Sequence, residues 1–228
     1  MEGREAIIGK IRTQVGAGKD ETARRAAVAN RLANAPKGVI PDRGQIPVRE
    51  RLALFQDRAE AVQTTVTTVS SYDDVPEAVS DYLRQRNLPQ QLRMGQDKRL
   101  DGADWSKTPA LERRLGPSDG DDLVGLSHAT AGVAETGTLV LTSGSDNPTT
   151  VNFLPENHIV VIAASQVAGD YETALDVVRQ MNGKGRMPRT VNMVTGPSRS
   201  GDIEQKILLG AHGPRSLHMI VVDDLGDA

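Results

Sequence analysis

Residues 158–163, with the sequence HIVVIA, are the stretch that decides the fold. The run is short, unbroken and rich in β-branched side chains, which is typical of a strand buried on both faces of a sheet. Further runs of the same character occupy residues 123–126, 138–142, 190–195 and 217–222. Strands of this kind occur in parallel sheets that are covered by helices on both sides.

Helical patterns alternate with these runs. Asp170 is placed to cap a helix that carries Tyr171, Ala174 and Val178 on one face, and Gly183 is placed to end it. The alternation predicts an α/β fold of three layers with a mostly parallel sheet. Residues 97–122 are polar and rich in turn formers, so they predict a long loop with a helical turn near residues 109–114.

The first part of the chain predicts a separate arm. An apolar stripe and an alanine-rich stretch indicate two helices, and residues 36–47 are rich in proline and glycine, which breaks all periodicity. We therefore predict a helical arm and linker over residues 1–47 and an α/β domain over residues 48–228. The arm either packs on the main domain or docks a partner or a second copy.

Composition excludes several classes of function. The net charge of −3 and an aromatic content of 3% give neither a basic surface nor stacking platforms for nucleic acid. No apolar run approaches the length of a membrane span, and we expect a cytoplasmic protein. The chain contains no cysteine, which excludes thiolate ligation of zinc or iron–sulfur clusters and cysteine nucleophiles. The four histidines lack the spacing of a helical metal site, so no metal is predicted.

Residues 196–202 form a candidate anion-binding loop. Ser198 and Ser200 supply hydroxyls, Arg199 supplies a guanidinium, and Asp202 is suited to cap a helix that begins at Ile203. These residues are therefore candidates for binding a substrate. The alternative is a tight connection in which the polar side chains only satisfy backbone groups.

Glu135 and His212 are the candidate catalytic residues. Glu135 precedes an apolar strand, where burial would suit its carboxylate to acid–base work and an adjacent cation would keep it ionised. The alternative is a carboxylate that organises Thr136 and Thr138, which we also take as substrate-binding candidates. His212 lies beside glycine in an exposed loop, where it can exchange a proton with a small substrate.

His158, at the start of a strand, is a further substrate-binding candidate or else a half-buried strand residue. If the alternation of helices and strands holds, Glu135, Ser198, Asp202 and His212 should converge on one crevice at the ends of neighbouring strands.

Four segments together carry a family resemblance: residues 134–138 (AETGT), 154–159 (LPENHI), 195–204 (TGPSRSGDIE) and 210–214 (GAHGP). In this order they resemble the LUD domain. The resemblance implies a fold similar to sugar-phosphate isomerases and CoA transferases. It also implies a part in the oxidation of L-lactate to pyruvate beside iron–sulfur partner proteins, with no cofactor in this chain. A site for a small carboxylate is our extension of it.

Other functions remain open at this point. Glu135-Thr136-Gly137 resembles the setting of the glutamate nucleophile in CoA transferases, so the chain could be a stand-alone acyl- or CoA-transferase-like enzyme. A sugar-phosphate isomerase is a weaker third. Whether the isolated chain is an enzyme does not follow from the sequence.

Overall fold

A computed structural model describes residues 2–16, 20–183, 185–203 and 206–226 of the chain. The chain divides into two compact units, Met1–Ile40 and Pro41–Ala228. The first unit contains helix α1 (Glu2–Gln14) and helix α2 (Glu21–Asn34), and the side chain of Asp20 caps α2 by accepting from the Ala23 N–H. No helix in the described part of the chain is both long and apolar enough to span a bilayer.

The second unit contains the remaining helices and all the strands that the described residues form. The helices are α3 (Val48–Ala61), α4 (Val75–Gln85), α5 (Lys98–Asp101), α6 (Thr149–Phe153) and α7 (Tyr171–Asn182). The strands are β1 (Thr65–Val69), β2 (Gln91–Met94), β3 (Glu112–Leu115), β4 (Val124–His128), β5 (Ala131–Val133), β6 (Thr138–Thr142), β7 (Asn157–Ala163), β8 (Val167–Ala168), β9 (Val191–Val194), β10 (Arg199–Ile203), β11 (Lys206–Leu209) and β12 (Ser216–Val222). Short 3-10 helices occupy Asp42–Gly44, Tyr72–Asp74, Trp105–Lys107 and Ala164–Gln166.

The central sheet has six strands in the order β1-β12-β7-β4-β2-β3. Every neighbouring pair in it runs parallel, which confirms the predicted α/β fold with its mostly parallel sheet. The run at residues 158–163 lies in β7, between β12 and β4. Its position in the middle of the sheet explains why its side chains are apolar on both faces.

Both faces of the central sheet are covered. Ile159 and Val161 of β7 pack with α4 in one hydrophobic cluster, while Val160 and Ile162 pack with α3 and strand β6 in another. Each fully buried side chain of this size contributes about 1.5–3 kcal/mol to folding. The alternation along β7 therefore fixes which residues face each layer.

A second sheet, in the order β8-β5-β6-β9, covers part of the central sheet. Strand β6 runs antiparallel to both β5 and β9, so residues 138–142 and 191–194 do not belong to the parallel sheet. The opposite face of this sheet packs on α7 through Ala131, Val140 and Val178. Strands β5 and β6 are thus also buried on both faces, so an apolar run indicates burial but does not indicate whether a strand runs parallel or antiparallel.

Residues 41–47 belong to the second unit, whereas the sequence predicts a domain boundary between residues 47 and 48. Gly44 packs directly on Gly169, because a Cβ on Gly44 would lie 2.0 Å from the Gly169 carbonyl oxygen. Gln45 adds a hydrogen bond of 2.9 Å from its Nε2 to Asp170 Oδ2. These contacts hold the segment on the α/β domain.

Two predicted elements are wrong. The helix predicted to begin at Ile203 is absent, because Arg199–Ile203 forms strand β10, which pairs antiparallel with β11. In the hairpin Ile203 pairs with Lys206, and the register shifts between Ser200 and Ile203. The helical turn predicted near residues 109–114 is also absent, since Glu112–Leu115 forms the edge strand β3 beside β2.

Candidate functional site

A cavity of about 270 Å³ lies at the amino ends of β7 and β12. We call it the amino-edge cavity. Four of the predicted site residues line it, namely His158, Ser198, Arg199 and His212. Asn152 of α6 and Thr195, which follows β9, also line it. The structure thus brings together residues from positions 152 to 217 in one small concave site.

Ser198 joins the two loops that border the amino-edge cavity. Its backbone N–H donates to the Pro214 carbonyl at 2.9 Å, and its own carbonyl accepts from the Gly210 N–H at 2.9 Å. Its Oγ also accepts from the His212 backbone N–H at 3.2 Å. Three hydrogen bonds therefore fix loop 195–199 against loop 210–214.

The charged and titratable groups of the cavity differ in exposure. Arg199 and His212 are exposed, and the Arg199 guanidinium donates to the carbonyl of Val62 at the end of α3. His158 is 1% exposed and stands at the second position of β7. Complete burial lowers the pKa of His158 to about 3, so its imidazole is neutral at physiological pH.

The His158 side chain hydrogen-bonds to a residue for which the sequence gives no signal. Its Nε2 lies 3.0 Å from Ser127 Oγ, and Ser127 Oγ donates to Asn152 Oδ1 at 2.6 Å. Ser127 lies inside strand β4 and Asn152 lies between Val151 and Phe153 in α6, and neither belongs to a glycine-containing loop, which is why sequence reasoning missed them.

Glu135 is not among the residues that line the amino-edge cavity. It lies in the turn between β5 and β6, where its side chain is 4% exposed. Arg43 donates to Glu135 Oε2 from Nε at 3.2 Å and from Nη2 at 3.1 Å. The buried carboxylate thus has an adjacent cation, which is one of the environments considered for Glu135 on the sequence alone.

Thr136 and Thr138 belong to a cluster of hydroxyls with Tyr171 and Thr195, which we call the hydroxyl cluster. Thr138 Oγ1 lies 2.6 Å from Thr195 Oγ1, 2.7 Å from Thr136 Oγ1 and 2.9 Å from the Tyr171 hydroxyl. Thr138 is fully buried. The cluster connects the Glu135 turn to Thr195, and so to the edge of the amino-edge cavity.

The last two predicted residues lie in the β10–β11 hairpin. Ser200 is half-buried and pairs in register with Leu208. The backbone of Asp202 lies in β10, but its side chain lies outside the described residues.

A second polar cluster lies at the carboxyl edge of the central sheet. The Tyr72 hydroxyl lies 2.7 Å from His128 Nε2, and His128 Nδ1 donates to the Ala129 carbonyl at 2.7 Å. Since Nδ1 carries the proton, Tyr72 donates to Nε2. Burial, together with the positive charge of Arg99, lowers the pKa of His128 to about 4. Arg99 itself forms an ion pair with the buried Asp97.

Within the described ranges, no three histidine, aspartate or glutamate side chains are grouped as a metal ion would require. The described site is therefore one of hydroxyls, imidazoles and a guanidinium. Groups of this kind bind anionic and hydroxylated ligands.

Residues 51–222 match the LUD domain, and the chain belongs to this family. The matched region contains the whole amino-edge cavity as well as Glu135 and the hydroxyl cluster.

Several curated relatives are named lactate utilization protein C. The relative from Shouchella clausii is 38% identical over 101 residues, which are 44% of this chain and 44% of the relative. The one from Geobacillus kaustophilus is 35% identical over 117 residues, covering 51% of this chain and 49% of the relative. The one from Bacillus subtilis is 36% identical over 102 residues, covering 44% and 42%. The match thus spans about half the length of these relatives.

A crystal structure of a DUF162 family protein from Deinococcus radiodurans has a similar fold. Its TM-score is 0.59 at 20% sequence identity, covering 78% of this chain and 99% of the other. At this identity the similarity concerns the fold alone.

Proposed function

We propose that this chain takes part in lactate utilization as a subunit that holds no cluster, in a system that oxidises L-lactate to pyruvate. The amino-edge cavity binds a small organic anion in this system. The observation that carries the proposal is the convergence of His158, Ser198, Arg199 and His212 on one cavity inside the family domain. Relatives named lactate utilization protein C support the choice of pathway.

The size and chemistry of the cavity suit a small carboxylate. A volume of about 270 Å³ is below the usual range for drug-sized ligands and is sufficient for a short-chain acid. Arg199 supplies a permanent positive charge, and its guanidinium has further N–H donors beyond the one directed at Val62. Ser198 and Thr195 add hydroxyls beside it.

Oxidation of lactate releases an electron pair that this chain has no cysteine-bound cluster to accept. We propose that iron–sulfur clusters in partner proteins receive these electrons. The role of this chain is then to hold the organic acid and to dock against the proteins that carry the clusters.

A stand-alone acyl- or CoA-transferase-like enzyme is the alternative. It requires Glu135 to attack an acyl group. The 4% exposure of the Glu135 side chain and its pairing with Arg43 disfavour this role, because the carboxylate would have to leave its ion pair and reach solvent.

Reconstitution tests the proposal. The full chain is mixed with purified iron–sulfur lactate-utilization proteins, and lactate-dependent reduction of an artificial electron acceptor is followed. We expect activity only when all components are present, and a loss with Arg199→Ala. Arg114→Ala, which removes an exposed arginine of the edge strand β3, is the matched control and should retain activity. Full activity without this chain would refute the proposal.

A further inference from the structure

The hydrogen-bond chain from Asn152 to His158 fixes the position of one proton. Ser127 Oγ donates its single proton to Asn152 Oδ1 at 2.6 Å. Its contact of 3.0 Å with His158 Nε2 must therefore be one in which Ser127 accepts. Nε2 carries the imidazole proton, and Nδ1 is left with a free lone pair.

Burial keeps His158 in this neutral form. The residue is 1% exposed, and removal from water disfavours the charged imidazolium, which lowers its pKa to about 3. At neutral pH Nδ1 is thus an acceptor of hydrogen bonds.

Among the hydrogen-bonded side chains of Asn152, Ser127 and His158, two polar atoms are buried and have no partner in the described part of the protein. Within the described residues, His158 Nδ1 and Asn152 Nδ2 make no hydrogen bond. The first is an acceptor and the second is a donor, and both residues line the amino-edge cavity. A buried polar group left unsatisfied costs about 1–3 kcal/mol, so a bound molecule that satisfies both would be favoured.

We propose that His158 and Asn152 recognise the hydroxyl group of a 2-hydroxy acid. The hydroxyl proton is donated to His158 Nδ1, and the hydroxyl oxygen accepts from Asn152 Nδ2. The carboxylate of the same ligand is held by Arg199. This inference rests on the proposed function and adds to it that the cavity selects the reduced acid, lactate, over the oxidised one, pyruvate.

The preference for lactate follows from the hydrogen-bond donors and acceptors that each acid presents to His158 and Asn152. A 2-oxo acid presents a carbonyl oxygen, which has no proton to give to Nδ1. An unsubstituted acid such as propionate presents neither group. Sites built to hydrogen-bond a ligand hydroxyl discriminate strongly against analogues that lack it.

Calorimetry of the full wild-type chain with L-lactate, pyruvate and propionate tests the inference. We expect lactate to bind at least about tenfold more tightly than either competitor, in line with the loss of one or two buried hydrogen bonds. The same titrations of His158→Gln should abolish the preference. Glutamine keeps an N–H donor near the position of Nε2 and has no acceptor near the position of Nδ1.

Two further variants are matched to His158→Gln. His158→Asn places an amide oxygen near the position of Nδ1 and should keep part of the preference. His218→Gln is the control, because His218 is also buried and has an unpartnered ring nitrogen but does not line the amino-edge cavity. It should bind lactate as the wild type does.

A spectroscopic readout needs no variant. With ¹⁵N-labelled histidine, the His158 signals should show a protonated Nε2 and an unprotonated Nδ1. The Nδ1 signal should shift on addition of lactate and stay in place on addition of propionate.

The outcomes separate this inference from the proposed function. If the wild type binds none of the three acids, the proposed function fails and the inference fails with it. If lactate and propionate bind equally well, or if the Nδ1 signal ignores lactate, the inference alone fails. Tighter binding of pyruvate would also overturn it, because Nδ1 would then have to carry the proton.

Discussion

Arg43 and Glu135 lie 92 residues apart in the sequence and form an ion pair in which both guanidinium contacts reach the same carboxylate oxygen. The pair joins the segment before α3 to the turn between β5 and β6. Its two members differ in exposure, at 57% for the Arg43 side chain and 4% for that of Glu135. The buried carboxylate therefore depends on a partner that remains in contact with water.

Arg43→Ala should destabilise the domain by about 1–3 kcal/mol, because it leaves a buried carboxylate without its charged partner. Urea denaturation measures the change. Arg114→Ala, which removes one member of an exposed pair with Glu112, should cost less than about 1 kcal/mol. In the Glu135→Gln background, Arg43→Ala should have a smaller effect. Equal losses for the two arginine variants would mean that the Arg43 contact contributes no more than a surface pair.

Purified protein given an acyl-CoA should acquire no covalent adduct at Glu135, because the side chain is buried in its ion pair. Mass spectrometry of the intact chain and of its peptides provides the measurement. An adduct that disappears in Glu135→Gln would instead establish Glu135 as a nucleophile and favour the transferase alternative.

Arg199→Ala should weaken the binding of L-lactate by about 1–3 kcal/mol, since it removes a charge-assisted contact to the carboxylate. Calorimetry at constant ionic strength gives the affinity, and Arg199→Lys should recover part of it by restoring the charge. Unchanged affinity in a folded Arg199→Ala protein would exclude the guanidinium from the anion site.

Stability should fall as the pH decreases below about 6.5, because three buried histidines resist protonation in the folded state. Burial lowers the pKa of His128 and of His218 to about 4, and that of His158 to about 3, from the ordinary value of 6.5. Between these limits the unfolded chain binds protons that the folded chain does not. Each histidine then contributes a slope of up to about 1.4 kcal/mol per pH unit.

Urea denaturation between about pH 7 and about pH 5 measures this slope. His218→Gln removes one of the three groups and should reduce the slope by about a third. A slope unaffected by the substitution would show that other groups cause the acid sensitivity.

Gly137→Ala should destabilise the domain by more than the backbone strain alone. Gly137 has φ +68°, and a Cβ there would lie 2.4 Å from the backbone nitrogen of Ala59. Gly183→Ala is the control, because Gly183 has φ +81° and no atom within 4 Å of an added Cβ. The control should lose about 1–2 kcal/mol, and Gly137→Ala should lose more. Similar free energies of unfolding for the two variants would contradict the close packing of the turn on α3.

The sequence predicts the parts of the fold that depend on local burial. Strands β7 and β12 are recognisable because their side chains are apolar on both faces, and α7 is recognisable from its cap and its apolar stripe. The direction and sheet of β6 are not predictable in this way, because they depend on pairing with β5 and β9. Strand β3, with the sequence ERRL, carries no apolar signal because it is an exposed edge strand.

The residues of the candidate site also differ in whether a local sequence pattern predicts them. Ser198, Arg199 and His212 belong to glycine-containing loops whose composition indicates a site. The partners of buried groups are different, since neither Arg43 beside Glu135 nor Ser127 beside His158 is marked by any local pattern. Such contacts are created by the tertiary fold and become visible only when distant segments meet.

Strand β12 lies between β1 and β7 in the central sheet, and β12 is the sole described neighbour of β1. During synthesis on the ribosome, β1 is the first strand to emerge. More than a hundred further residues are added before its partner β12 is made. Until β12 is made, β1 has no described strand to pair with, and β7, once made, has one edge unpaired. Nascent chains that stall before Ser216 therefore expose unpaired strand edges, which favour aggregation.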